Sequence, residues 1–173
     1  MTLLLTTVLA HTPGWVWALL ALLVALGWRQ SRPHRVTPVR LALQPLALGA
    51  WSLAAALAAF LPALGAGALL GWGCGAAMGA LANRRLGLPR VVSALPDGAF
   101  LIGGSWAPMA LLMSVFAIRY AVSASIAVVP ELATLPAFAA AACTLYGLPA
   151  GLFAARALHV LAARARGGAP GVA

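Results

Sequence analysis

Long apolar runs broken by short polar links fill the chain. Five runs stand out, at about 13–28, 39–60, 64–83, 108–129 and 136–163. An α-helix needs roughly 20 apolar residues to cross the hydrocarbon core of a bilayer, and runs of this kind satisfy all backbone groups internally only as helices. The pattern therefore predicts an all-α, polytopic transmembrane bundle of about five helices, one integral membrane domain over residues 1–173. The prolines punctuate it: Pro13 after Thr12 and Pro38 open the first two runs, while Leu61-Pro62 and Pro130-Glu131 close the second and fourth. A proline suits a first helical turn and disfavours continuation beyond it. The last run is longer than a crossing requires, so its final turns are expected to tilt or to project into the cytoplasm. Residues 2–10 are apolar but too short to cross, and are expected along the interface.

One connection, residues 87–106, reads differently. Val91-Val92 and Phe100-Leu101-Ile102 flank Leu95-Pro96-Asp97-Gly98, which is turn chemistry between two β-prone stretches. Two readings fit this cytoplasmic loop: a small β-hairpin, or an irregular loop lying on the headgroups.

The links differ sharply in charge. The first carries Arg29, Arg32, His34, Arg35 and Arg40; the third carries Arg84, Arg85 and Arg90; the tail carries Arg164 and Arg166, just after Arg156. The second link, Leu61 to Ala63, is uncharged, and the fourth holds Glu131 with no basic residue. Basic and non-basic connections alternate, and the positive-inside rule then places the N-terminus outside and the C-terminus in the cytoplasm. Arg29 follows the first run and no basic residue precedes it, the reverse of a cleaved signal peptide.

Composition supports the membrane reading and narrows the partners. The chain is 64% hydrophobic and 8% charged, against roughly 25% charged in soluble domains. Its basic residues are all arginine, Asp97 and Glu131 are its acids, and the net charge is +9. Arginines in short loops beside apolar runs point to anionic headgroups on the cytoplasmic side rather than to nucleic acid. Arg29, Arg32, Arg35, Arg40, Arg84, Arg85, Arg90, Arg164 and Arg166 are the expected headgroup contacts. Cys74 and Cys143 lie far apart inside apolar runs and read as small apolar residues. His11, His34 and His159 share no helix face inside the bilayer, so neither metal nor haem is expected, nor any other cofactor. No P-loop or nucleophile elbow is present to suggest catalysis. Trp15, Trp28 and Trp106 read as interface anchors, with Trp51 and Trp72 somewhat deeper.

Three local features carry the remaining information. Gly67, Gly71, Gly75 and Gly79 recur every four residues and form a ridge without side chains, which predicts close approach of another helix. That helix belongs either to the same chain or to a second copy. Arg119, beside Tyr120, falls near the middle of the fourth run, roughly 15 Å from either surface at 1.5 Å per residue. A charge there costs about 2.5 kcal/mol or more, and arginine does not escape by losing its proton. No acid lies at matching depth. Tyr146, Thr144 and Ser52 do, and helix breaks are expected at Pro149 and, after Gln44, at Pro45. Pro149 would free the Leu145 carbonyl as an acceptor. Arg119 is therefore either an internal polar lock or the contact for an anion from outside the chain.

His11-Thr12-Pro13 running into Trp15-Val16-Trp17-Ala18-Leu19-Leu20 and Trp28-Arg29-Gln30 resembles the opening of a family of small proteobacterial inner-membrane proteins of unknown function. Gly104-Ser105-Trp106 with Pro108, Arg119-Tyr120, Tyr146-Gly147 and Arg156 resemble its later segments. The resemblance implies a bacterial inner membrane and a similar helix count, and no activity. Three functions stay open: a non-enzymatic assembly or accessory component, a small carrier or binding protein for an anion or anionic lipid through Arg119, and a lipid-acting enzyme. The shortage of acids and histidines weighs against the last. A carrier of five helices would need a second copy to wall a pathway, so a homodimer or another membrane-protein partner is part of that reading.

Overall fold

The structure is a computed structural model and describes residues 14–32, 34–86, 92–94, 100–102 and 106–166. In chain order these form α1 (Gly14–Gln30), β1 (His34–Val36), α2 (Pro38–Leu64), α3 (Gly67–Leu86), β2 (Val92–Ala94) and β3 (Phe100–Ile102). α4 (Ala107–Val128), a 3-10 turn (Pro130–Thr134) and α5 (Pro136–Arg166) follow. The fold is dominated by helix, as the apolar runs require. Three helices, α2, α4 and α5 over Pro136–Ala162, are long and apolar enough to cross a membrane. α1 is shorter, at 17 residues, and the 20 residues of α3 are diluted by glycines and by Asn83-Arg84-Arg85. Large apolar side chains such as Leu46, Trp51, Leu70 and Leu158 stand exposed on the outside of the bundle, a surface suited to lipid.

Contacts along the helices give their directions. Gly75 meets Thr144 and Gly79 meets Leu148, so α3 and α5 run parallel. Ser52 meets Tyr146, whereas Leu41, earlier in α2, packs beside Ala157 and Val160, so α2 runs against α5. Gly27, near the end of α1, faces Met109 at the start of α4. The chain thus threads back and forth between two ends. One end holds the turns at 65–66 and 129–135; the other holds β1, β2 and β3.

Those strands form a three-stranded antiparallel sheet in the order β1-β3-β2, pairing His34 with Ile102 and Val92 with Ile102 across β3. The strands of the hairpin reading are present in 87–106, while its turn at 95–99 lies outside the described residues. The third strand, His34–Val36, was not expected, because nothing in the first link taken alone favours β structure. It arises because the links after α1 and α3 emerge at the same end, where β3 offers a free edge.

Three expectations about helix ends and breaks are corrected. α2 does not stop at Leu61-Pro62 but continues to Leu64, where Gly65 caps it at φ 53° and donates its N–H to the Leu61 carbonyl. Pro45 lies inside α2 and Pro149 inside α5, and neither interrupts its helix. A proline removes one hydrogen bond, but in a low-dielectric medium opening the adjacent bonds as well would cost several kcal/mol more. At the start of α2 Pro38 occupies the first turn, as the sequence implies, and Thr37 Oγ1 accepts from the Arg40 N–H as a cap.

α5 is the centre of the bundle. Half of its apolar span is buried in the fold, against 11% for α2 and α4. It packs most extensively on α3, next on α2 and only lightly on α4, while α1 packs on α4. The main core gathers Ala56, Phe60, Ala68, Val122, Ala139, Ala142, Cys143 and Tyr146 from α2 to α5.

Candidate functional site

The glycines of α3 bring backbones into contact. A Cβ added at Gly75 would land on the Thr144 carbonyl, and one at Gly79 on the Leu148 carbonyl. At Gly71 it would lie 3.1 Å from the Cys143 Cβ, whereas at Gly67 it would meet only Leu64 of the preceding helix, at 3.6 Å. The ridge is therefore used over part of its length. Positions four apart drift by about 40° per step on a helix of 3.6 residues per turn, so four of them cannot all face one neighbour. α5 answers with its own pair: a Cβ at Gly147 would strike the Trp72 carbonyl and one at Gly151 the Ala76 carbonyl. The sequence carried the signal in the spacing of Gly147 and Gly151, which the proline between them masked as a helix break. The helix that meets the ridge is α5 of the same chain.

A polar node ties three helices beside this seam. Ser52 Oγ of α2 donates to the Tyr146 carbonyl of α5 at 2.6 Å and accepts from Trp72 Nε1 of α3 at 3.1 Å. The carbonyl engaged is one residue beyond that of Leu145, the one Pro149 deprives of its donor. Thr144 is not part of the node or of the surroundings of Arg119. Its hydroxyl donates to the Ala140 carbonyl of its own helix at 2.9 Å, because its side of α5 faces the α3 seam. Tyr120 stacks on Phe116 at 6.0 Å, one helical turn back, and is not among the residues lining the Arg119 cleft.

Arg119 stands in a cleft between α2, α4 and α5, lined among others by Leu48, Trp51, Ile118, Leu145, Tyr146 and Phe153. Its guanidinium carbon lies 5.9 Å from the centre of the Trp51 ring and 5.7 Å from that of Tyr146, within the roughly 6 Å range of cation–π attraction. Nη1 is enclosed and has no hydrogen-bond acceptor among the described residues. The cleft is narrow and almost wholly apolar, with room for water-sized bodies of only about 30 Å³. Trp51 is 69% exposed and Leu145 43% exposed, so it opens sideways onto the outer face of the bundle. Glu131, in the 3-10 turn, is exposed and belongs to the opposite end from the sheet.

The remaining expected residues are dispersed. Arg32, Arg35, Arg40, Arg84 and Arg85 are exposed at the sheet end. Arg90 and Asp97 lie outside the described residues, as do the side chains of Arg29, Arg164 and Arg166. Cys74 is exposed and Cys143 buried on the seam, both free thiols. Among the described residues no group of three metal-binding side chains is found. Two polar residues are buried that nothing in the sequence places inside, Asn83 at 4% and Arg156 at 8% exposure. Asn83 adjoins Arg84 and Arg85 at the end of α3, and Arg156 precedes Arg164 and Arg166 in α5, so charge suggests a solvated end for both.

Residues 1–171 match a family of unknown function (DUF6622), and the chain belongs to that family. No curated protein and no solved structure matches it.

Proposed function

We propose that this member of the family is a five-crossing protein of the bacterial inner membrane, N-terminus outside and C-terminus in the cytoplasm, that acts by binding rather than by catalysis. Its ligand is an anion, either free or as the head of an amphiphile, taken up sideways into the Arg119 cleft. The alternating helix directions and the gathering of the basic links at the sheet end support the orientation. The exposed Arg32, Arg35, Arg40, Arg84 and Arg85 would then meet anionic headgroups.

The observation that carries the binding reading is the enclosed Nη1 of Arg119 with no acceptor. A buried cation is stable in a bilayer when its N–H groups are accepted and its charge is offset. The two rings offset part of the charge but accept little, and the helix-tying role belongs to Ser52, Trp72 and the Tyr146 carbonyl. An anion would complete the site. The competing reading, a purely structural accessory component with Arg119 as a lock, is favoured by the flanking of the guanidinium by Trp51 and Tyr146.

Native mass spectrometry of the protein released from lipid nanodiscs, wild type beside Arg119→Leu, separates the two. The binding reading expects an anionic adduct on wild type that the variant lacks, and the adduct mass distinguishes a lipid from an inorganic anion. Identical bare spectra would leave the structural reading. Reporter fusions at Leu61, Asp97 and Thr134 test the orientation, and an external signal at Asp97 would sink it.

A further inference from the structure

Another arginine, Arg156, is more deeply buried than Arg119. Arg156 is 8% exposed, and its Nη1 is enclosed without a hydrogen-bond acceptor among the described residues. It follows Pro149 by seven residues, two turns of α5, and so shares a helix face with that cleft-lining proline. The cleft reaches down α5 as far as Phe153, but Arg156 does not line it. Tyr146, against which the Arg119 guanidinium lies, is ten positions back, roughly 15 Å along the axis. Towards the sheet end α5 is closed in. Phe153, Ala157 and Val160 are buried, Leu41 and Val36 pack against Ala157 and Val160, and β2 touches the helix.

An arginine so near the end of an apolar span ordinarily extends its side chain to water. Arg156 is enclosed instead, at the end where the other described arginines are exposed and from which Glu131 is farthest. A charge kept there needs an anion, and none of the described residues supplies one. The planar guanidinium fork matches a phosphate by two parallel N–H···O bonds, and phosphate is the anion a bilayer concentrates at that boundary.

We infer that Arg156 is the anchor of a second anion site, independent of Arg119, that takes a phosphate group at the arginine-bearing end of the bundle. The phosphate comes either from a lipid head or from free inorganic phosphate, and both make the same contact.

Thermal unfolding of the full chain in phosphate-free maltoside micelles tests this. The probes are sodium phosphate in one arm and phosphatidylglycerol doped into the micelles in the other, each against sodium chloride at equal ionic strength. A ligand bound only by the folded state raises Tm by mass action, here a saturable rise of a few degrees in wild type. Arg119→Leu should keep that rise and Arg156→Gln should lose it. A rise in the lipid arm alone names the headgroup, and a rise in both arms names phosphate itself. No rise in wild type in either arm overturns the inference, as does an undiminished rise in Arg156→Gln, which would assign the effect to the exposed arginines. Should the glutamine variant fail to fold, Arg156→Lys keeps the charge without the fork. It should need roughly tenfold more ligand for the same rise, and an unchanged response would also overturn the site. Loss of the Arg119 adduct leaves this result unaffected, so the two sites stand or fall separately.

Discussion

The α3–α5 seam and the Arg119 cleft share one helix, α5, and are built on opposite principles. At the seam, glycines on both helices let backbones touch, and nothing with a side chain fits at Gly75, Gly79, Gly147 or Gly151. At the cleft, side chains of α2, α4 and α5 meet around a charged group and leave only a narrow space. Apolar side chains gain little by leaving lipid for one another, so close backbone contact is a main source of cohesion between membrane helices. The seam uses that source, while the cleft gives it up and keeps space. One is suited to holding the bundle together and the other to admitting something.

Substitution should expose the difference, beginning at the seam. Gly75→Ala and Gly151→Ala each drive a methyl into a carbonyl of the facing helix, and should cost about 3 kcal/mol or more or prevent folding. Detergent-titrated unfolding in mixed micelles measures it, and a loss below about 0.5 kcal/mol would refute the contact. The cleft should respond the other way. Arg119→Leu relieves a buried cation and should leave stability unchanged or raise it by up to about 2 kcal/mol. A large loss would instead make Arg119 structural.

Ser52→Ala removes the node between the two regions, both the bond to the Tyr146 carbonyl and the acceptor for Trp72. It should cost about 1–2 kcal/mol in the same titration, and no change would show the node to be incidental. Gly73→Ala sharpens the seam argument from within α3. Open space surrounds that position, so the lower entropy of alanine should stabilise by about 0.5–1 kcal/mol. A loss there would mean that Gly73 too meets a close neighbour, such as a second copy of the chain, because propensity alone favours alanine.

Much of the helix order was legible because it is written locally. Apolar length marks each helix, and Pro38 marks the start of α2 by chemistry confined to one turn. The glycine repeat announced a close neighbour for α3 on the same grounds. Where reading failed, two distant segments decided the outcome. Gly147 and Gly151 were hidden behind Pro149 because a proline looks like a break until the surrounding medium penalises opening the helix. The charge of Arg156 suggested a solvated end, and only its burial in the folded bundle shows otherwise.

The amino-acid sequence by itself determined what depends on one helix at a time: the apolar spans, the arginine-bearing links and the place of Arg119 midway along its apolar run. Tertiary structure alone decided which faces meet. It set the parallel register of α3 on α5, the entry of His34–Val36 into the sheet, the assignment of the polar node to Ser52, and the pairing of Arg119 with two rings instead of an oxygen. The physical reason is range. Hydropathy, capping and charge act over one or two turns, whereas a hydrogen bond between residues as remote as Ser52 and Tyr146 depends on how whole helices settle against each other.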